Sequence, residues 1–106
     1  MKIMNLINQL FGGAVKNNLA QLIEEGAFLV DVRTPGEFAG GHVKGSVNIP
    51  LDKVSSQIAK FKNKKNIIVF CQSGGRSAQA KNILQQYGIT DVTNGGSWNN
   101  VNRFVK

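Results

Sequence analysis

An α/β fold built on a central, mostly parallel sheet is the class that the sequence predicts. Three observations predict it. Short, nearly continuous apolar runs, Ala27-Phe28-Leu29-Val30-Asp31-Val32 and Asn66-Ile67-Ile68-Val69-Phe70, read as strands covered on both faces. Segments with helical spacing lie between and after them, with Val54, Ile58 and Phe61 in one and residues 77–87 in another. Glycine or proline closes the segments, at Gly26, Pro50 and Gly88. Strands alternating with helices favour parallel pairing over hairpins.

The elements follow in order. Ile3, Leu6, Ile7 and Leu10 recur at helical spacing, so residues 1–13 read as a short amphipathic segment. It is expected to pack on a single domain spanning 14–106, with contact to a membrane surface or a partner as the alternative. Asn17 or Asn18 can cap a helix through Leu19, Leu22 and Ile23, closed by Gly26. After the first strand, Thr34-Pro35-Gly36-Glu37 reads as a capping box with proline at the first helical position, anchored by Phe38. Gly40, Gly41 and Gly45 mark a loop, and Ser46 to Ile49 a second strand ended by Pro50. Asp52 can cap the helix of Val54, Ile58 and Phe61. The strand 66–70 runs directly into Cys71, followed by a glycine turn and a helix from about Ser77 to Tyr87. Ile89 to Thr93 reads as a last strand, and Ser97 as the cap of a final helix with Trp98, Val101 and Val105.

Composition narrows the function. The chain has 106 residues, enough for one modest core. Cys71 is the one cysteine, so an intramolecular disulfide is excluded and a reducing, cytoplasmic setting is expected. With His42 the one histidine, the ligands for a structural zinc site are lacking. No apolar run reaches signal-peptide or membrane-spanning length. The net charge of +7 favours anionic ligands or simply solvates the surface. The densest run, Lys60 to Lys65, falls where a helix should end, and no aromatic residues are interleaved for base stacking, so nucleic acid is not an expected partner.

The chemistry concentrates in Cys71-Gln72-Ser73-Gly74-Gly75-Arg76-Ser77, a strand end, a tight turn and a helix start. Ligands of open parallel sheets bind at such strand ends. Paired glycines let successive N–H groups turn inward, and the following helix adds its positive end. Such a setting lowers a thiol pKa and supplies a thiolate nucleophile. The competing reading is an inert core cysteine. It is disfavoured because Gln72, Ser73, the glycines and Arg76 are poor core formers.

This loop resembles the active-site loop of single-domain rhodaneses. Two further stretches strengthen the resemblance. They are Asp31-Val32-Arg33-Thr34-Pro35-Gly36-Glu37-Phe38 with Gly41-His42-Val43-Lys44-Gly45-Ser46 and Asn48-Ile49-Pro50, and the late Gly95-Gly96-Ser97-Trp98. The resemblance implies a three-layer α/β/α rhodanese-like fold. It also implies Cys71 as sulfur acceptor and donor, and Gln72 to Arg76 with Ser77 as the cradle. The short strand usual before the opening helix is hinted at only by Ala14-Val15, and residues 1–13 match nothing in the pattern.

Other residues have expected roles. Arg76 either attracts an anionic donor or pairs with a buried carboxylate, for which Asp31 is the favoured candidate. Arg33 lies at the pocket mouth or pairs with Glu37. His42 is expected to stabilise its turn rather than act as a base, and Trp98 to form core or pocket wall. The implied reaction is transfer of sulfane sulfur through a Cys71 persulfide, from thiosulfate or a persulfide donor. The acceptor is cyanide, a thiol or a dithiol protein such as a thioredoxin-like one. No cofactor or metal is called for. Cysteine phosphatases place five residues between Cys and Arg, whereas four separate Cys71 from Arg76. Mercaptopyruvate users resemble Cys-Gly-Ser-Gly-Val-Thr and lack the arginine. A persulfide carrier without turnover, or a regulatory binding module, is the remaining alternative.

Overall fold

The structure, a computed structural model, describes residues 12–106. The expected N-terminal segment falls, apart from Gly12 and Gly13, outside the described residues. Four parallel strands form one sheet in the order β2-β1-β3-β4: β1 Phe28–Asp31, β2 Val47–Asn48, β3 Ile67–Cys71 and β4 Val92–Ser97. The helices are α1 Gly12–Glu24, α2 Pro35–Ala39, α3 Gly75–Gln86 and α4 Trp98–Asn102. Two 3-10 helices, Leu51–Lys53 and Ser55–Lys60, link β2 to β3. No described helix is long and apolar enough to cross a membrane.

Strand alternation separates the core into two layers. Ile67, Val69 and Cys71 of β3 point to one face, where they pack with Val30, Val32, Ile49, Val54, Phe61, Ala80 and Leu84 under α3 and the 3-10 helices. Ile68 and Phe70 point to the other, packing with Leu19, Leu29, Val43 and Val101 under α1 and α4. Every residue of β3 is buried, as expected for a strand covered on both sides. This is the expected three-layer α/β/α arrangement, and it points the Cys71 side chain toward α3.

Several local expectations need correction. The opening helix begins at Gly12, so Asn17 and Asn18 lie inside it rather than capping it, and Ala14-Val15 is helical rather than extended. The helix expected after Asp52 is two 3-10 segments broken at Gln57, with φ −120° and ψ 31°, and without a side-chain cap. The spacing of Val54, Ile58 and Phe61 is met equally by tighter turns, and Val54 and Phe61 are buried. The last strand is Val92–Ser97 rather than Ile89–Thr93. Ile89 instead closes α3, donating its N–H to the Leu84 carbonyl beyond Gly88. Gly95 and Gly96 do not end β4. They sit at an irregularity where Val69 pairs with Asn94 but Phe70 pairs with Gly96, leaving Gly95 as an extra, bulged residue.

The helix starts match the sequence better. Thr34 Oγ1 accepts the Glu37 N–H and Glu37 accepts the Thr34 N–H, a complete capping box. Ser97 caps α4 by accepting from Asn100 N at 3.0 Å.

Candidate active site

Cys71 ends β3, and its residue is 1% exposed. The chain must then turn sharply into α3. Gly74, the N-cap of α3, does this at φ 108°, a conformation that L side chains rarely adopt. The turn also brings β4 close, since a Cβ on Gly74 would meet Gly96 Cα at 3.5 Å. The result is a cradle around sulfur. Gly74 N donates to Cys71 Sγ at 3.0 Å, and Ser77 Oγ lies 3.5 Å from Sγ. Burial pushes the Cys71 thiol up. The Ser77 hydroxyl and the N–H groups of Ser77, Gly74 and Ser73 outweigh it, lowering the pKa from 9.0 to about 7. The donors that favour the thiolate form here are neutral ones. Gln72 and Ser73 are exposed beside it, Gly75 is exposed at the start of α3, and Ser77 is buried.

The charges pair differently from the sequence expectation. Arg76 does not pair with Asp31. Its guanidinium makes a two-pronged contact with Glu37 of α2, NH1 to Oε1 at 2.7 Å and NH2 to Oε2 at 3.1 Å. The Arg76 contact first, and the Thr34 N–H second, hold the Glu37 carboxyl at about 2. The loop's one full positive charge is thus tied to the neighbouring helix. Arg33 lies neither at the pocket mouth nor beside Glu37. It is 3% exposed and grips Asp31, which is fully buried, through Nε at 2.9 Å and NH2 at 2.7 Å. Its NH2 also donates to the Gly41 carbonyl at 2.7 Å, and its guanidinium lies 4.7 Å from the Trp98 ring centroid. Asn48 Nδ2 donates to the carbonyls of Asp31 and Arg33. Asp31 and Arg33 therefore lock the end of β1 to the Gly41 loop, β2 and α4, with Trp98 as wall. His42 stacks on Phe38 at 3.8 Å, and its Nδ1 lies 2.8 Å from the Phe38 carbonyl, which requires Nδ1–H as donor. These contacts hold its turn.

Comparison with known proteins agrees with this fold. The family model described as "Rhodanese-like domain" matches residues 15–102. The chain belongs to that family. An Escherichia coli protein named thiosulfate sulfurtransferase PspE is 44% identical over 69 residues, 63% of this chain and 66% of the relative. A Bacillus subtilis relative, YqhL, is 38% identical over 64% of this chain, which spans only 54% of that protein. Among solved structures, an E. coli rhodanese with anions superposes with TM-score 0.64 at 39% identity, covering 71% of this chain and 91% of that one. The human single-domain sulfurtransferase TSTD1 superposes with TM-score 0.69 at 29% identity, covering 79% and 88%.

Two residues of this rhodanese-like domain were assigned no role at the thiol by sequence reasoning. Glu37, read as a cap, is also the partner of Arg76. Asn94 escaped notice altogether. Its Oδ1 lies 2.7 Å from Ser77 Oγ and accepts from Gly96 N at 2.9 Å, while its Nδ2 donates to the Gly74 carbonyl at 3.2 Å. The available signal was an asparagine directly before two glycines, the pattern of a bulge that re-aims a side chain.

Proposed function

We propose that this domain is a sulfurtransferase that carries sulfane sulfur on Cys71 from thiosulfate to a thiophilic acceptor. The observation that carries the reading is the Cys71 sulfur at the end of β3, accepting the Gly74 N–H at 3.0 Å with its pKa brought to about 7. The name of the E. coli relative supports thiosulfate as donor.

The Cys71 thiolate attacks the outer sulfur of thiosulfate. A bond forms from Sγ to that sulfur, the S–S bond of thiosulfate breaks, and sulfite leaves with the electron pair. The product is a persulfide anion, Cys71–S–S⁻, which the same N–H donors stabilise. An acceptor thiolate, a dithiol protein such as a thioredoxin-like one, or cyanide then attacks the terminal sulfur and releases the Cys71 thiolate. Two half-reactions on one sulfur give ping-pong kinetics. A reducing cytoplasm suits a chain whose one cysteine must return to the thiol.

Intact mass spectrometry after incubation with thiosulfate tests the reading. A gain of roughly 32 Da, removed by cyanide and absent from Cys71→Ser, is the expected result for one sulfur at the persulfide level. An unmodified wild type, freshly reduced, would overturn thiosulfate as donor. A persulfide that forms but never turns over with cyanide or a dithiol would mark a carrier instead.

A further inference from the structure

We propose that Asn94 is a positioning residue for Cys71: it directs the hydroxyl proton of Ser77, which flanks the sulfur, by occupying the Gly74 carbonyl that would otherwise take that proton. The inference rests on Cys71 as the reacting thiol.

Ser77 has one hydroxyl proton and three acceptors within reach. These are Asn94 Oδ1 at 2.7 Å, the Gly74 carbonyl at 3.1 Å and Cys71 Sγ at 3.5 Å. The Gly74 carbonyl is already served twice, by Ala78 N at 3.1 Å and by Asn94 Nδ2 at 3.2 Å. Two donors fill its two lone pairs, so Asn94 closes it to the Ser77 proton. Two directions remain. With a neutral thiol the proton points to Asn94 Oδ1, and the Cys71 S–H can donate to Ser77 Oγ. With a thiolate the hydroxyl turns to the sulfur. Asn94 Oδ1 then keeps the Gly96 N–H at 2.9 Å, so the acceptor is not left unpaired. The hydroxyl can therefore answer the charge on sulfur at little cost.

The backbone explains why Asn94 is aimed there. The bulge at Gly95 breaks the pairing of β4 just after Asn94, and Gly96 at φ 82° returns its N–H to the Asn94 side chain. Asn94 is thereby held from its own strand while it grips the cysteine loop at two points. The charged groups on the elements around the thiol are Arg76 of α3, held by Glu37 of α2, Lys81 further along α3, and the Asp31–Arg33 pair at the end of β1. β4, which supplies Asn94, has no charged side chain. Replacing Asn94 with alanine leaves all of these in place.

The test is the titration of Cys71, followed by thiolate absorbance and by the rate of iodoacetamide alkylation against pH. Asn94→Ala should raise the pKa from about 7 to about 8, because the Gly74 carbonyl, no longer occupied by Asn94 Nδ2, then competes with the sulfur for the Ser77 proton. At a pH of about 6.5 alkylation should then slow about eightfold. Ser77→Ala should raise it similarly, and adding Asn94→Ala to Ser77→Ala should change little more, since both act through one hydroxyl. The isosteric Asn94→Asp keeps both acceptor contacts but loses the Nδ2 donor and adds negative charge, so it should raise the pKa furthest. An Asn94→Ala pKa equal to wild type, or full additivity with Ser77→Ala, would overturn the proposal. So would an Asn94→Asp value no higher than wild type, should the alanine variant not fold. Raised variant pKa values alongside a wild type that takes no sulfur from thiosulfate would support this inference while overturning the donor.

Discussion

The Asp31–Arg33 pair is the site's largest concentration of buried charge, and Asp31→Ala exposes what it contributes. Asp31 is fully buried and Arg33 is 3% exposed. Between them run contacts of 2.7 to 3.0 Å, including the Arg33 backbone N–H to Oδ1. Removing the carboxylate strands a guanidinium that keeps only the Gly41 carbonyl and the face of Trp98. Stranding one member of a buried pair costs about 3–5 kcal/mol. The aromatic contact recovers part of this, on the order of 1 kcal/mol, so about 3 kcal/mol is expected. Small domains are stable by only about 5–15 kcal/mol in total. The midpoint of thermal unfolding should fall by about 12–24 °C. Urea unfolding followed by the fluorescence of Trp98, the chain's one tryptophan, measures the loss and reports from beside Arg33. The double variant Asp31→Ala/Arg33→Met should regain at least half of it, because the unpaired charge is gone. A loss below about 1 kcal/mol, the size of an exposed pair, would refute the reasoning that this pair is desolvated.

Other expectations are equally measurable. A Cβ on Gly95 would sit 2.7 Å from Val101 Cγ2 and 2.9 Å from Ile68 Cγ2. Gly95→Ala should therefore lower the urea-derived stability by about 1–3 kcal/mol. Gly36→Ala, with open space and helical backbone in α2, should leave it unchanged or raise it by up to about 1 kcal/mol. The folded Cys71 pKa of about 7 lies below its ordinary 9.0, so between these values the unfolded chain binds the extra proton. Stability should accordingly rise as pH goes from 7 to 9, by up to about 2–3 kcal/mol. It should be lost again as pH falls back through the folded value, and Cys71→Ser should flatten this part of the curve. Glu37→Gln leaves the Arg76 charge uncompensated beside the loop. Its KM for thiosulfate should fall while kcat holds, and the gain should shrink with added salt.

The sequence disclosed what is local and concealed what depends on the order of strands. Thr34 and Glu37, three residues apart, announce their capping box, and Ser97 announces α4, because caps are made within one turn. The placement of Cys71 followed from the apolar run that ends at it. Arg76 and Glu37 are 39 residues apart, and only the adjacency of β1 and β3 brings α2 to the start of α3. The partner of Arg33 was nearer to hand. Arg33 lies in the bend just past β1, where its own N–H turns back to Asp31 Oδ1, and that local turn outweighs the longer reach to Glu37. The extent of β4 past Thr93 was hidden because glycines in a strand mark a bulge only once their neighbours are known. Here the missing Cβ is required by Val101 and Ile68, and the bulge continues the strand rather than ending it.

The distribution of charge explains why the cradle is made of neutral donors. The chain carries +7, yet the two arginines near Cys71 are each spent on a carboxylate. The lysines gather elsewhere. Lys60, Lys62 and Lys64 line a cleft of about 450 Å³ with Phe28, the first residue of β1. The cleft runs along the β2 edge, lined also by Val47, Asn48 and Ile49, whereas Cys71 ends β3, two strands in from that edge. Two strand spacings are about 10 Å, beyond the roughly 8 Å over which exposed charges act at physiological salt. The lysine cluster therefore contributes little at the sulfur, and the nearest full positive charge, Arg76, is compensated by Glu37. What remains there is Gly74 N–H at 3.0 Å, the neighbouring N–H groups and a hydroxyl free to turn. A thiolate and a persulfide anion carry the same charge at slightly different places. A fixed cation would favour one position, while a ring of N–H dipoles serves both. In the proposed reaction, such a ring would let sulfur be taken up and given away without either state becoming a trap.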